Sequence, residues 1–189
     1  MMKIKLSFAV SVLGLFVLWF LCTGCDRQEN HTEPSLKGIE MPKHLNSDGA
    51  EVIVRGKINK VNPAFFDLDT LMKFPCVSFE EKNAWKNEVQ SYVGASLWQV
   101  LRFLEPDPSA TLIDVIAAND YKASIRIADI RKYEYILSYK LNGKLYKQHE
   151  PARDKGPVAI AINFGKHPEL PREIYKHQLV WYVRTIIVK

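Results

Sequence analysis

Cys22, Cys25 and Cys76 are the side chains of this 189-residue chain best suited to covalent or metal chemistry, since a thiolate is both a nucleophile and a soft ligand. Cys76 has no cysteine or histidine near it in sequence, so pairing it with a histidine for nucleophilic catalysis is left to the fold. His149, His167 and His177 follow one another at spacings of 18 and 10 residues. No local metal motif has that spacing, and they read as surface or hydrogen-bonded histidines. Asp67 with Asp69, and Glu80 with Glu81, are acid pairs without the surroundings of a glycosidase; the first reads as a helix cap and the second as a solvated turn. There is no Gly-rich phosphate loop, HExxH, zinc-spaced pair of CxxC motifs or GxSxG, which excludes the enzymes those motifs announce.

The N-terminus accounts for two of the three thiols. Lys3 and Lys5 precede a run from Leu6 to Cys22 in which every residue is apolar or small, the charge-then-apolar order of a secretory signal. Leu21-Cys22-Thr23-Gly24-Cys25 resembles the lipobox of bacterial lipoproteins, which implies residues 1–24 as a signal peptide and Cys25 as the lipidated first residue of the mature chain. The alternative is an uncleaved anchor, because the 17 residues of the run reach the lower edge of a spanning helix, roughly 17–25 residues. Either way residues 26–189 are expected outside the cytoplasm. The Cys22–Cys25 spacing also matches thiol redox motifs, but those open a helix of a folded domain. Asp26 resembles the residue that retains some lipoproteins at the inner membrane, which puts the domain at the periplasmic face of that membrane. Cys76 then remains as the one free thiol, and an internal disulfide is excluded.

Charge narrows the partners. Without Lys3 and Lys5 the chain carries 24 basic and 21 acidic residues, too even a balance for nucleic acid. The basic excess gathers late: residues 139–189 hold ten Lys/Arg against four Asp/Glu. That third of the chain is suited to an anion or to the neighbourhood of an anionic membrane.

Residues 25–49 are polar, contain Pro34, Gly38, Pro42 and Gly49, and read as a flexible linker. Residues 50–189 are enough for one domain. Strands are expected over Glu51–Lys60, Pro75–Phe79, Val89–Val93, Thr111–Ala118, Tyr121–Ile127, Tyr133–Leu141, Lys144–Lys147, Val158–Phe164 and Leu179–Val188. Asp67 caps a short helix with Leu68, Leu71 and Met72. Ser96 and Gln99 fit a capping box for a helix presenting Leu97, Val100, Leu101 and Leu104 on one face and stopped by Pro106. Asn142-Gly143 is the pair that a type I′ hairpin needs. Arg172–Gln178 reads as a helical turn or two. Many short strands with few helices predict an α+β, β-rich, mixed-sheet or barrel-like domain.

The ordered segments Phe66–Leu71, Val93–Leu101, Ala118-Asn119-Asp120-Tyr121, Leu141–Lys144, Asp154-Lys155-Gly156-Pro157 and Trp181–Val188 together resemble the oxidoreductase molybdopterin-binding domain, the sulfite-oxidase-type fold, over nearly all of residues 50–189. The resemblance implies molybdenum on a pterin dithiolene with a cysteine thiolate as a further ligand. It also implies that this cysteine falls near Glu81 or Lys82, where the chain has none, leaving Cys76 as the candidate metal ligand from the start of that strand. The pterin-binding run of the family is replaced by Asn163–Pro171. Asn119, Asp120 and Tyr121, with Arg153 and Lys155, are the candidate rim of a cofactor cleft. The expectation is a membrane-tethered lipoprotein whose domain has lost the metal-ligating cysteine and binds another ligand, or a membrane or periplasmic protein. The alternative is an active periplasmic molybdopterin-dependent oxidoreductase of a small substrate.

Overall fold

Alternation of Val52 and Val54 with polar neighbours sends one face of the first strand inward. A computed structural model, which describes residues 34–41, 46–83, 88–149 and 156–189, forms strand β1 there (Val52–Gly56). The strands that follow in chain order are β2 (Ala64–Phe66), β3 (Cys76–Lys82), β4 (Val89–Ser96), β5 (Leu112–Ala117) and β6 (Lys122–Arg126). The remaining strands are β7 (Tyr135–Leu141), β8 (Lys144–Leu145), β9 (Ala159–Ile162) and β10 (Val183–Val188). Four short helices intervene: α1 (Leu68–Leu71), α2 (Leu97–Phe103), α3 (Ile127–Lys132) and α4 (Arg172–Tyr175).

One sheet runs β2-β1-β10-β5-β6, with β1 and β10 parallel and the other pairs antiparallel. The other runs β3-β4-β7-β8, and β9 joins β7 on the edge it shares with β8. The two sheets stay open rather than closing into a barrel. Val54, Val115 and Ile186 of the first sheet and Leu137 and Ile160 of the second enter one core with α2. From α2, Leu97, Val100, Leu101 and Phe103 are buried, each removing roughly 1.5–3 kcal/mol of apolar exposure. A smaller cluster of Phe79, Tyr92, Ile136 and Tyr146 covers the other face of the second sheet, with Trp181 packed against it.

Several local expectations take a different form. Ser96 Oγ accepts from Gln99 N at 3.4 Å, but the return half of the capping box is absent. Ser96 N donates instead to Pro75 O, because Ser96 also ends β4, and Gln99 Oε1 is left buried without a partner. The Asn142-Gly143 turn forms as expected, with φ of 48° and 79°. The strand expected to run through Ile127 stops at Arg126, whose guanidinium pairs with Asp129 in α3, a helix too short to show a period. Val183 rather than Leu179 begins β10, since Tyr182 before it is left-handed at φ 53°.

The compact unit reaches back to Pro34. Leu36, Ile39 and Met41 rest on the core, and Arg102 Nη2 donates to Pro34 O at 2.6 Å. Part of the stretch expected as linker is therefore seated on the domain. Among the described residues, no helix is long and apolar enough to cross a membrane. Cys22 and Cys25 lie outside the described residues, as do the charged stretch around Trp85 and the candidate rim residues Arg153 and Lys155.

Candidate functional site

After β5 the chain turns through Asn119-Asp120-Tyr121. Asp120 adopts φ 64°, its N–H donates to Ala117 O at 3.1 Å, and Asn119 Oδ1 accepts from Tyr121 N at 3.3 Å. Aspartate and asparagine suit such a turn because their short side chains tolerate the left-handed region. The turn sends Tyr121 out to solvent, where its hydroxyl donates to His177 O at 2.7 Å. That bond ties the β5–β6 turn to the single 3-10 turn Lys176–Gln178 that follows α4. A second tie joins the buried Tyr135 hydroxyl to Gln178 Oε1. Burial, and then the nearby Asp129 carboxylate, raise the Tyr135 pKa far above the ordinary phenol value.

Between these segments opens a cleft of about 600 Å³. It is lined by Asn119 and Tyr121 of the β5–β6 turn, Lys176 and His177 of the 3-10 turn, and Leu179, Trp181 and Tyr182 ahead of β10. Two of the candidate rim residues, Asn119 and Tyr121, thus meet at a cleft; Asp120 shapes the turn without lining it. Reading the sequence missed Lys176, Trp181 and Tyr182. Their available signal was the basic excess of the last third and the aromatic pair Trp181-Tyr182, neither of which specifies a site alone.

Tyr182 is held in a costly conformation. A left-handed bulky residue is disfavoured by on the order of 1–3 kcal/mol, and the surroundings enforce it here. Ala118 N donates to Tyr182 O at 2.8 Å, Val183 N donates to Val158 O at 2.9 Å, and the Tyr182 ring lies against Gly156. A Cβ on Gly156 would stand 2.0 Å from Tyr182 Cδ1, so only glycine leaves room for that ring.

Behind Trp181 lies a narrow crevice of about 20 Å³, also lined by Glu81 and Tyr92. Glu81, expected in a solvated turn, is buried near the end of β3. Its Oε1 accepts from Arg172 Nη2 at 2.6 Å and from Lys82 N at 2.8 Å, and its Oε2 from Gly165 N at 2.7 Å. Arg172 also donates to Lys82 O at 3.1 Å and stacks over Phe164 at 4.7 Å. One carboxylate thereby clamps both the Asn163–Pro171 loop and α4 onto β3. Burial, and then the Glu81 charge, push the Tyr92 pKa up to about 12.

Cys76 lies elsewhere. It begins β3 on the exposed parity of the strand, while Phe79 and Glu81 take the buried parity. Five residues of strand put it about 17 Å from Glu81 on the opposite face. Its sulfur is within hydrogen-bonding reach of the Tyr139 hydroxyl, whose pKa is raised first by burial and then by that sulfur. Cys76 lines neither the cleft nor the crevice. No group of three or more His, Cys, Asp or Glu side chains is placed to hold a metal among the described residues.

No protein-family model matches this chain, and no curated protein does. Among solved structures it is similar to the sulfane dehydrogenase SoxCD from Paracoccus pantotrophus, with a TM-score of 0.56 and 14% identity. The match covers 76% of this chain and 39% of that one, so this chain spans well under half of its neighbour's length. At that identity the likeness shows the fold alone: an α+β domain of mixed sheets and few short helices that resembles this sulfite-oxidase-type neighbour.

Among the described residues, those around Glu81 do not fit a thiolate-ligated molybdopterin. The resemblance expects the cysteine near Glu81 or Lys82; Glu81 is a carboxylate whose oxygens are already taken by Arg172, Gly165 and Lys82, and Lys82 is no sulfur ligand. The crevice beside it is about 20 Å³, little more than one water-sized probe.

Proposed function

We propose that this chain is an exported, lipid-tethered protein whose sulfite-oxidase-type domain binds a ligand in the Asn119–Tyr182 cleft and carries out no molybdenum chemistry. The observation that carries this reading is the opposed parity of β3. Its thiol, Cys76, is exposed at the start of the strand and points from the opposite sheet face to Glu81, and the carboxylate near which the resemblance puts the metal ligand is consumed in an internal clamp. Packing residues survive such a replacement because the core does not depend on the site. The cleft supports a binding role: its size is within the roughly 300–1,000 Å³ usual for small-molecule sites, and aromatic walls surround a few polar groups.

The cellular address rests on Lys3, Lys5, the Leu6–Cys22 run and the Cys25 lipobox. Eight residues, 26–33, separate Cys25 from the domain at Pro34. A tether of that length favours a partner on the periplasmic face of the membrane over a distant one.

Metal analysis of protein purified from a molybdopterin-competent host tests the reading. The expected result is no stoichiometric molybdenum in either the natural chain or Cys76→Ser, with both equally folded. Stoichiometric molybdenum that disappears in Cys76→Ser would overturn it and establish the oxidoreductase alternative.

A further inference from the structure

We infer that the open edge of β3 is an interface at which two copies of this chain join strand to strand; this goes beyond the cleft and the metal reading and depends on neither. β3 is the outermost strand of the second sheet and pairs on one side only, with β4. Ser96 N donates to Pro75 O at 3.0 Å and Asn83 N to Glu88 O at 2.8 Å. The antiparallel register between those two bonds is unbroken, so the odd-numbered residues of β3 bond β4 and the even-numbered ones turn N–H and C=O outward. Lys82 agrees with this, since its N–H goes to Glu81 Oε1 and its carbonyl accepts from Arg172. Cys76, Ser78 and Glu80 are exposed, and among the described residues their outward main-chain groups have no partner.

An open edge pairs readily with another strand, and this edge is complementary to itself. An antiparallel pair of β3 strands with its two-fold axis at Ser78 sets Cys76 against the second copy's Glu80, Ser78 against its counterpart and Glu80 against Cys76. Each pair exchanges two main-chain bonds, so every free group is used. The same register sets Val77 opposite the second copy's Phe79. Val77 packs on the smaller apolar cluster and Phe79 stacks on Tyr92 at 5.7 Å, so the two clusters would meet across the axis as apolar cross-strand pairs. Neighbouring registers fit less well. An axis at Phe79 spends a pair on Lys82, whose groups are taken, and an axis at Glu80 opposes two like charges. An axis at Val77 leaves the Glu80 groups beyond the start of the second strand. Two-fold pairing also covers both edges at once, which closes the assembly at two copies.

Disulfide trapping of the purified full-length chain in mild detergent reads the register. Facing residues of a bonded pair have Cα atoms about 5.5 Å apart, within the roughly 4.4–6.8 Å that a disulfide spans. Cys76 and its counterpart, four strand residues out of step, would stand about 14 Å apart. Ser78→Cys in a Cys76→Ser background is therefore expected to give a covalent dimer on mild oxidation, about fivefold or more above the natural chain and above Glu80→Cys in the same background. Ser78→Lys opposes two lysines, and Ser78→Pro removes an outward N–H that β4 does not use. Each is expected to weaken the dimer about tenfold or more in sedimentation, with circular dichroism unchanged for Ser78→Lys. Val89→Lys, at a strand position 67% exposed, should leave the dimer intact. A monomeric natural chain would overturn the inference, as would equal trapping at all three cysteine positions or a dimer that Val89→Lys dissolves and Ser78→Lys does not.

Discussion

Removing the guanidinium in Arg172→Ala strands a carboxylate. In the natural chain Glu81 is 8% exposed at its side chain and Arg172 39%. The substitution deletes the 2.6 Å bond to Oε1, the 3.1 Å bond to Lys82 O and the stacking on Phe164, while the Gly165 and Lys82 amides still serve Glu81. Breaking a fully buried pair costs about 3–5 kcal/mol. The partial exposure of Arg172 and the two remaining amide bonds reduce this to about 2–3 kcal/mol. For a domain of this size that corresponds to a fall of about 4–12 °C in Tm. Urea unfolding should show the loss as a lower midpoint at constant slope. Glu81→Ala should cost a similar amount, and the double variant Glu81→Ala/Arg172→Ala less than the sum of the two by at least about 1 kcal/mol. Additivity within about 0.5 kcal/mol would refute the clamp, because two groups that do not interact contribute independently.

Asp114, on β5 between β6 and β10, supplies the pH dependence. Burial alone would raise its pKa, but hydrogen bonds from Lys122, Lys189 and Ser124 hold it well below the ordinary carboxylate range. A depressed native pKa gives stability that is present above the unfolded value, about 3.9, and lost as pH falls below it. Urea midpoints of the natural chain should therefore drop between about pH 4 and pH 2. Asp114→Asn should start about 1–2 kcal/mol lower at pH 7 and lack Asp114's share of that acid drop; parallel profiles would sink the assignment. Gly156→Ala should cost about 1–3 kcal/mol by forcing the Tyr182 ring aside, read as a lower urea midpoint. Gly143→Ala is the matching control: it is left-handed at φ 79° with open space around it, so urea unfolding should show a loss of about 1 kcal/mol from backbone conformation alone.

Local pattern was legible wherever one interaction dominates a short stretch. The Val52/Val54 alternation, the Asp67 and Ser96 caps, the apolar face of α2 and the Asn142-Gly143 turn each depend on residues within a few positions of one another, and each formed. The ordered motifs that resemble a sulfite-oxidase-type domain point to the α+β fold that the comparison with SoxCD supports. Asn119, Asp120 and Tyr121 entered as rim candidates through that resemblance; read locally, they are an ordinary turn before a strand.

What lay beyond the sequence is set by contacts between distant segments. Glu80-Glu81 reads locally as a charged turn. Only the pairing of β3 with β4 fixes which of the two faces inward, and only the return of the chain at Gly165 and Arg172 gives Glu81 its partners, 84 and 91 residues away. Cys76 shows the same limit, because a thiol's reach depends on strand parity and on what lies across the sheet. The cleft joins residues near 120 to residues near 180, through the Tyr121–His177 and Ala118–Tyr182 bonds. Nothing local marks Trp181, Tyr182 or Gly156 as parts of one wall. Sequence alone determined the apolar run ahead of Cys25 and most of the elements; tertiary structure decided that β3 carries a clamp near where a metal ligand was expected, because side-chain facing is a property of the assembled sheet.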